Sequence, residues 1–308
     1  MPALSRRAKA ALACGAALAC AAAGALAAGS RWAAEFFYLF AWAGTLLCVA
    51  GLQDAALGRS FLDEPRRLAR MAALSAPWWL LFEAVNFRLG DWTYDSLPSN
   101  RWIRWAGYAF AFATVLPVVL ESARLVEPAC AGLRPKPRPR LLGDAARRAC
   151  LILGLLSAVL PLLWPRLFFP LVWGAAFLLV EPWLAARAPE RSWLAAWARG
   201  RAGPAVSLLV SGAACGLLWE LFNFWSGAKW RYTVPWPRGP KLFEMPWAGY
   251  LGFPPFALEC ASAWGLAETL RERMSPAAKL VAAAVLAGLS LLVFAGIDAW
   301  TVKSFASY

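Results

Sequence analysis

The 308-residue chain is 61% hydrophobic and only 16% charged, with a mean hydropathy of +0.52, too little polar surface to coat a soluble globule of that size. Its net charge of +13 is carried by alternate short loops, which is positive-inside topology rather than the footprint of a nucleic-acid partner. The complete lack of histidine excludes His-ligated haem, His-rich di-iron oxygenases and His-activated nucleophiles.

In chain order, apolar stretches of about 20 residues, enough to cross ~30 Å of hydrocarbon as helix, fall near 8–28, 34–54, 71–88, 105–125, 149–164, 168–186, 205–225, 247–268 and 279–299. The expected fold is therefore all-α, a polytopic transmembrane bundle of about nine helices. The first stretch opens with Arg6-Arg7 and is Ala-rich to Ala28, which fits a cleavable signal peptide or a retained helix. Retention is the preferred reading, because Arg147-Arg148-Ala149 opens the fifth stretch in the same way. Stretches 1–4 then look duplicated as 5–8, with a ninth left unpaired. The domain layout expected is a first membrane repeat over 1–126, a basic Pro-rich linker over 127–146, a second repeat over 147–275 and an additional helix over 276–308. The linker holds Arg134-Pro-Lys-Pro-Arg-Pro-Arg140, which cannot continue a helix.

Both repeats begin at the basic face, so they are parallel, related by an axis along the membrane normal. Of the 31 Lys and Arg, 21 lie on that face and 10 on the other. This places the N-terminus in the cytoplasm and the C-terminus outside, in a plasma membrane of the bacterial inner type. The 7 cysteines form no Cys-x-x-Cys pair and read as small apolar groups. With no nucleotide-binding motif either, neither a metal nor a cofactor is expected.

The duplication is sharpest in its polar residues. Glu83-x-x-Asn86-Phe87, Trp92-x-Tyr94, Trp105-Ala-Gly-Tyr108 and Pro117-x-x-x-Glu121 recur as Glu220-x-x-Asn223-Phe224, Trp230-x-Tyr232, Trp247-Ala-Gly-Tyr250 and Pro255-x-x-x-Glu259. Carboxylates and amides in hydrocarbon are expensive unless they face a cavity or a partner, so they mark candidate sites. Three residues apart, Glu83 and Asn86 share a helix face, as do Glu220 and Asn223; the amide is expected to fix the carboxyl, and burial to keep it protonated. The alternative is a polar clamp between the halves.

Pro254-Pro255 is expected to distort the eighth helix near mid-membrane, which is tolerated only around a protein-lined cavity. Glu259 then faces that cavity, while Glu121, close to Arg124, reads equally as an ion pair. Between the motif helices, the loops Arg88–Arg104 and Ser226–Pro246 carry Trp92, Tyr94, Trp230 and Tyr232 as candidate substrate contacts, with Tyr108 and Tyr250 beyond them. Trp102 and Trp236 read as an interfacial belt. Lys229, Arg231, Arg238 and Lys241 crowd the second loop; Arg231 and Lys241 are candidate contacts to a phosphate or carboxylate headgroup, and the cluster reads equally as loop charges with no ligand.

The elements Gly90-Asp91-Trp92-Thr93-Tyr94 with Pro117/Glu121, and Gly227 to Tyr232 with Pro255/Glu259, resemble the integral-membrane lycopene cyclases of bacteria and fungi, over about 100 residues. The chain departs from that family in carrying one glutamate after each proline, where the family has adjacent pairs, and in a longer four-helix repeat. The resemblance implies redox-neutral acid–base chemistry on a polyisoprenoid, in which one buried carboxylic acid protonates a double bond, a second carboxylate accepts a proton and aromatic faces stabilise the cation.

Three functions are therefore expected to compete. One is a cofactor-free membrane enzyme acting on an isoprenoid or membrane lipid. The second is a transporter or lipid translocase that uses the intramembrane glutamates. The third is a structural membrane subunit held by polar clamps.

Overall fold

The computed structural model describes residues 4–134, 143–236 and 239–306; Arg238 and residues 135–142 of the basic linker lie outside them. Helix α1 (Arg6–Ala27) is capped by the Ser5 hydroxyl, and α2 (Arg31–Leu57) by that of Ser30. The two run side by side at small residues: a Cβ on Gly15 would meet the carbonyl oxygen of Gly44 at 2.6 Å. Such close backbone approach is how helices pack without a hydrophobic driving force between them. The first stretch is thus built into the bundle against α2.

Helix α3 (Pro65–Leu89) ends at Gly90, whose left-handed φ of 67° turns the chain into strand β1 (Trp92–Asp95). Helices α4 (Arg101–Ala113) and α5 (Val115–Cys130) follow, separated at Thr114. The second half runs through α6 (Asp144–Leu163), the short α7 (Pro165–Phe168), α8 (Val172–Arg187), the short α9 (Trp193–Ala198) and α10 (Gly203–Trp225). Strand β2 (Lys229–Tyr232), a small hairpin of β3 (Lys241–Leu242) and β4 (Met245–Pro246), α11 (Phe253–Arg273) and α12 (Pro276–Gly296) complete it.

Seven helical stretches among the described residues are long and apolar enough to cross a membrane: α1, α2, α4 with α5, α6, α7 with α8, α10 and α12. The expected spans 71–88 and 247–268 are helical as α3 and α11, but neither is among those seven. They hold Glu83, Asn86 and Glu259 and pack inside the bundle, α3 against α4, α5 and α12, and α11 against α8 and α10.

The prolines do not break a helix as expected. Pro254 and Pro255 sit in the first turn of α11, after a 3-10 turn over Trp247–Gly252, where their missing N–H groups have no intrahelical acceptor to lose. Pro117 takes the same place in α5.

At one end of the bundle β1 and β2 pair antiparallel, with Trp92 opposite Tyr232 and Tyr94 opposite Trp230. The C-terminal tail lies along the other edge of β1, where Lys303 N donates to the Tyr94 carbonyl at 2.8 Å and Ala306 N to that of Leu97 at 2.8 Å. The opposite end is rich in arginine: Arg67 and Arg124 pair with Glu121, Arg70 and Arg271 with Glu268, and Arg191 with Glu272. Interlocked aromatic rings fill the middle. Phe82 stacks on Trp173 at 5.2 Å, and Trp79 meets Phe256 edge-on at 5.7 Å.

Candidate functional site

Each copy of the repeated motif builds the same small module. In the first, Asn86 on α3 holds the strand: its Nδ2 donates to the Trp92 carbonyl at 2.9 Å, and its Oδ1 accepts from Asp91 N at 2.8 Å and Trp92 N at 3.2 Å. One amide side chain thereby acts as a neighbouring strand, satisfying both backbone groups of Trp92. Thus fixed, β1 delivers Tyr94 OH to Glu83 Oε1 at 2.5 Å and Trp92 Nε1 to the same carboxyl at 3.2 Å. In the second module Asn223 bonds Trp230 through its amide oxygen and nitrogen, both at 2.9 Å, and Tyr232 OH donates to Glu220 Oε1 at 2.7 Å. The asparagine therefore does not donate to the neighbouring carboxyl, as its spacing suggested. It binds the strand, and the strand's Trp and Tyr bind the carboxyl.

The two modules differ in what completes them. Trp79, one turn before Glu83, adds a third donor, its Nε1 lying 2.9 Å from Glu83 Oε1. The corresponding residue of α10 is Gly216, and the space above it holds the Phe253 ring: a Cβ there would lie 2.2 Å from the ring. Phe253 donates no hydrogen bond. Glu220 Oε2 is fully buried with no hydrogen-bond partner among the described residues.

That oxygen belongs to a residue lining a cavity of about 840 Å³ beneath the strand pair. Elements of both halves form the wall, which is largely aromatic, with Tyr38, Trp79, Phe112, Trp173, Trp219 and Phe256 among its side chains. Its size and apolar lining are those of a small-molecule site. Glu220 lines it, whereas Glu83, Glu121 and Glu259 are not among its lining residues.

The remaining candidates are spread through the fold. Trp92, Tyr94, Tyr108, Trp230 and Tyr232 line the cavity with Glu220. Tyr250 does not; its hydroxyl donates to the Leu242 carbonyl at 3.0 Å, bracing the β3–β4 hairpin. Arg231 reaches away from the cavity to Asp95 at 2.8 Å and Glu244 at 3.3 Å, so its charge is already offset. Lys241 is exposed on β3. Glu121 accepts from Gln53, Arg67 and Arg124 at the arginine-rich end, the ion-pair reading of that residue. Glu259 accepts from the backbone of Ala176 at 2.9 Å in the packing between α11 and α8. Trp102 faces outward, while Trp236 lines the cavity with its indole bonded to the Arg166 carbonyl at 2.7 Å.

Two acidic residues matter more than their isolated positions in the sequence indicate. Asp298, just past α12, receives the Arg104 guanidinium twice, at 2.7 and 2.6 Å, together with Trp105 Nε1 and Tyr108 OH. It fixes the Trp-Ala-Gly-Tyr segment of the first half. Glu35, near the start of α2, is buried and lines the same cavity as Glu220. Neither stands in a repeated motif.

No protein-family model, curated protein or solved structure matches the chain.

Proposed function

We propose that this is a membrane-embedded protein that takes an apolar, unsaturated lipid or isoprenoid into the cavity beneath β1 and β2 and presents the Glu220 carboxyl to it as an acid. One observation carries the reading: a fully buried carboxyl oxygen without a hydrogen-bond partner, on a residue that lines an 840 Å³ aromatic cavity. A polar atom left unsatisfied in an apolar wall costs stability, and its retention calls for a ligand or a function. The reading agrees with the chemistry implied by the resemblance to the integral-membrane lycopene cyclases. It places the acid in the Glu-x-x-Asn module rather than after the proline.

In the same reading, the two halves are parallel repeats about an axis through the strand pair, and the basic end, with the N-terminus, faces the cytoplasm of a bacterial inner membrane. The symmetric pairing of Trp92 with Tyr232 and Tyr94 with Trp230 supports the axis; the loop arginines support the orientation. A translocase using the glutamates as a relay is the weaker reading, because Glu121 is occupied by arginines and Glu259 lies outside the cavity wall.

The test is mass spectrometry of lipids that co-purify with wild type, Glu220→Gln and Glu259→Gln in mild detergent. A distinct unsaturated lipid or isoprenoid enriched on Glu220→Gln supports the proposal, and the same bulk phospholipid on all three proteins refutes it.

A further inference from the structure

Glu35 and Glu220 come from different halves of the chain, and the fold brings them to one wall. The Ala34 carbonyl, adjoining Glu35, accepts from Gly227 N at 2.7 Å, from Ala228 N at 3.4 Å and from the Ser226 hydroxyl at 3.3 Å. Gly227 is the residue that permits this approach, since a Cβ there would lie 3.0 Å from Ala34. The start of α2 is thereby pinned to the turn leaving α10. Glu35 lies four residues into α2 and Glu220 five residues from the end of α10, about 6 and 8 Å along their helices at 1.5 Å per residue. Both carboxyls therefore line the cavity at a similar depth. Tyr38, one turn from Glu35, lines the same cavity, its ring edge-on to Trp230 at 5.2 Å.

We infer that Glu35 is the second catalytic carboxyl of the site, the base that accepts a proton from the ligand after Glu220 has given one. The inference rests on the cavity and acid proposed above. In the step, the Glu220 O–H bond breaks and its proton adds to one carbon of a double bond, so that the π pair becomes a C–H bond and the neighbouring carbon is left cationic among aromatic faces. The Glu35 carboxylate then removes a proton from an adjacent carbon, and that C–H pair forms the new double bond. The ligand leaves as an isomer, with no oxidant, reductant or leaving group. Glu35 ends protonated and Glu220 ionised, and exchange with water after release restores both.

The experiment uses the lipid extract that co-purifies with Glu220→Gln as the probe, added to each purified protein in D2O. Wild type is expected to convert its enriched component to an isomer carrying one deuterium. Glu35→Gln is expected to lose conversion by at least about 100-fold, the usual contribution of a positioned acid or base, yet still to exchange deuterium into the ligand, because Glu220 can give a proton and take one back. Glu220→Gln should do neither. Conversion by Glu35→Gln at the wild-type rate overturns the role of Glu35, as does loss of exchange together with conversion in a folded Glu35→Gln. If that variant does not fold, Glu35→Asp replaces it, with slowed conversion and retained exchange expected and an unchanged rate overturning the assignment. Failure of the underlying reading looks different: Glu220→Gln then carries the same lipids as wild type, and wild type neither converts nor exchanges any of them.

Discussion

Trp79 and Gly216 occupy corresponding places, each four residues before its glutamate, yet Trp79 donates to Glu83 at 2.9 Å while the space above Gly216 holds the donor-free ring of Phe253. A second difference completes the first: Trp92 Nε1 also reaches Glu83 Oε2 at 3.2 Å, whereas Trp230 Nε1 reaches only Oε1 of Glu220, at 3.3 Å, which leaves Oε2 open. The first module is closed on itself and braces the strand pair. The second offers its carboxyl to the cavity.

Stability should follow that difference. Glu83→Ala strips three donors, the buried Trp92 and Tyr94 and the half-buried Trp79, of their common acceptor, at about 1–3 kcal/mol for each buried group left unsatisfied. In Glu220→Ala the two donors lost to the carboxyl keep a contact with each other, Trp230 Nε1 to Tyr232 OH at 3.0 Å. Thermal unfolding in detergent should therefore show a clearly larger drop for Glu83→Ala. Equal drops would remove the distinction between the modules.

The asparagines should control the strands. Asn223→Asp keeps an acceptor for Trp230 N but turns an oxygen toward the Trp230 carbonyl, where Nδ2 now donates at 2.9 Å. Loss of that bond, with two acceptors left facing each other, should cost about 2 kcal/mol. The expected readout is faster proteolysis after Lys229 and Arg231, with the helix content by circular dichroism unchanged. Unchanged cleavage would show that the strand pair holds without the clamp.

A third expectation concerns how α12 is docked. Arg104 is 5% exposed and paired to Asp298, with its Nη1 on the Pro98 carbonyl at 2.6 Å. Removing one member of such a pair leaves an uncompensated buried charge, typically at about 3–5 kcal/mol. Arg104→Met and Asp298→Leu should each be strongly destabilising, and the double variant much less so than their sum. Additive losses in a thermal or denaturant series would mean that the pair does not join α12 to α4.

What the sequence made legible was what it carried twice. Glu83 with Asn86 and Glu220 with Asn223 stood out because their spacing to Trp-x-Tyr is repeated, and the apolar runs marked most helices. The partners of those residues were hidden, because a side-chain amide three residues from a carboxyl is equally placed to bond a backbone that returns six or seven residues later. Glu35 and Asp298 appear once, and their neighbours come from distant segments, so no periodicity points to them. Part of the asymmetry of the modules was written at Trp79 and Gly216, but its meaning depends on Phe253 packing across from α11, and the rest lies in how Trp92 and Trp230, the same residue type in both copies, meet their carboxyls. Pro254-Pro255 misled because a proline pair starts a helix as readily as it breaks one, and only the 3-10 turn before it decides.

The last expectation is a pH dependence outside the helices. Asp91, between α3 and β1, is 5% exposed, and burial pushes its carboxyl up to about 7. In the unfolded chain an aspartate titrates near 3.9, so between roughly pH 4 and 7 the folded protein binds more protons than the unfolded one. By linkage, the contribution of Asp91 to stability is greatest below about pH 4 and declines as pH rises, levelling above about 7. Asp91→Asn removes the titration while keeping a side chain of similar shape. The variant should therefore gain on wild type in melting temperature between pH 5 and pH 8, with the gap constant at higher pH. Parallel curves for the two proteins would show that Asp91 is hydrated, and that the cavity beside it is open to water at that end.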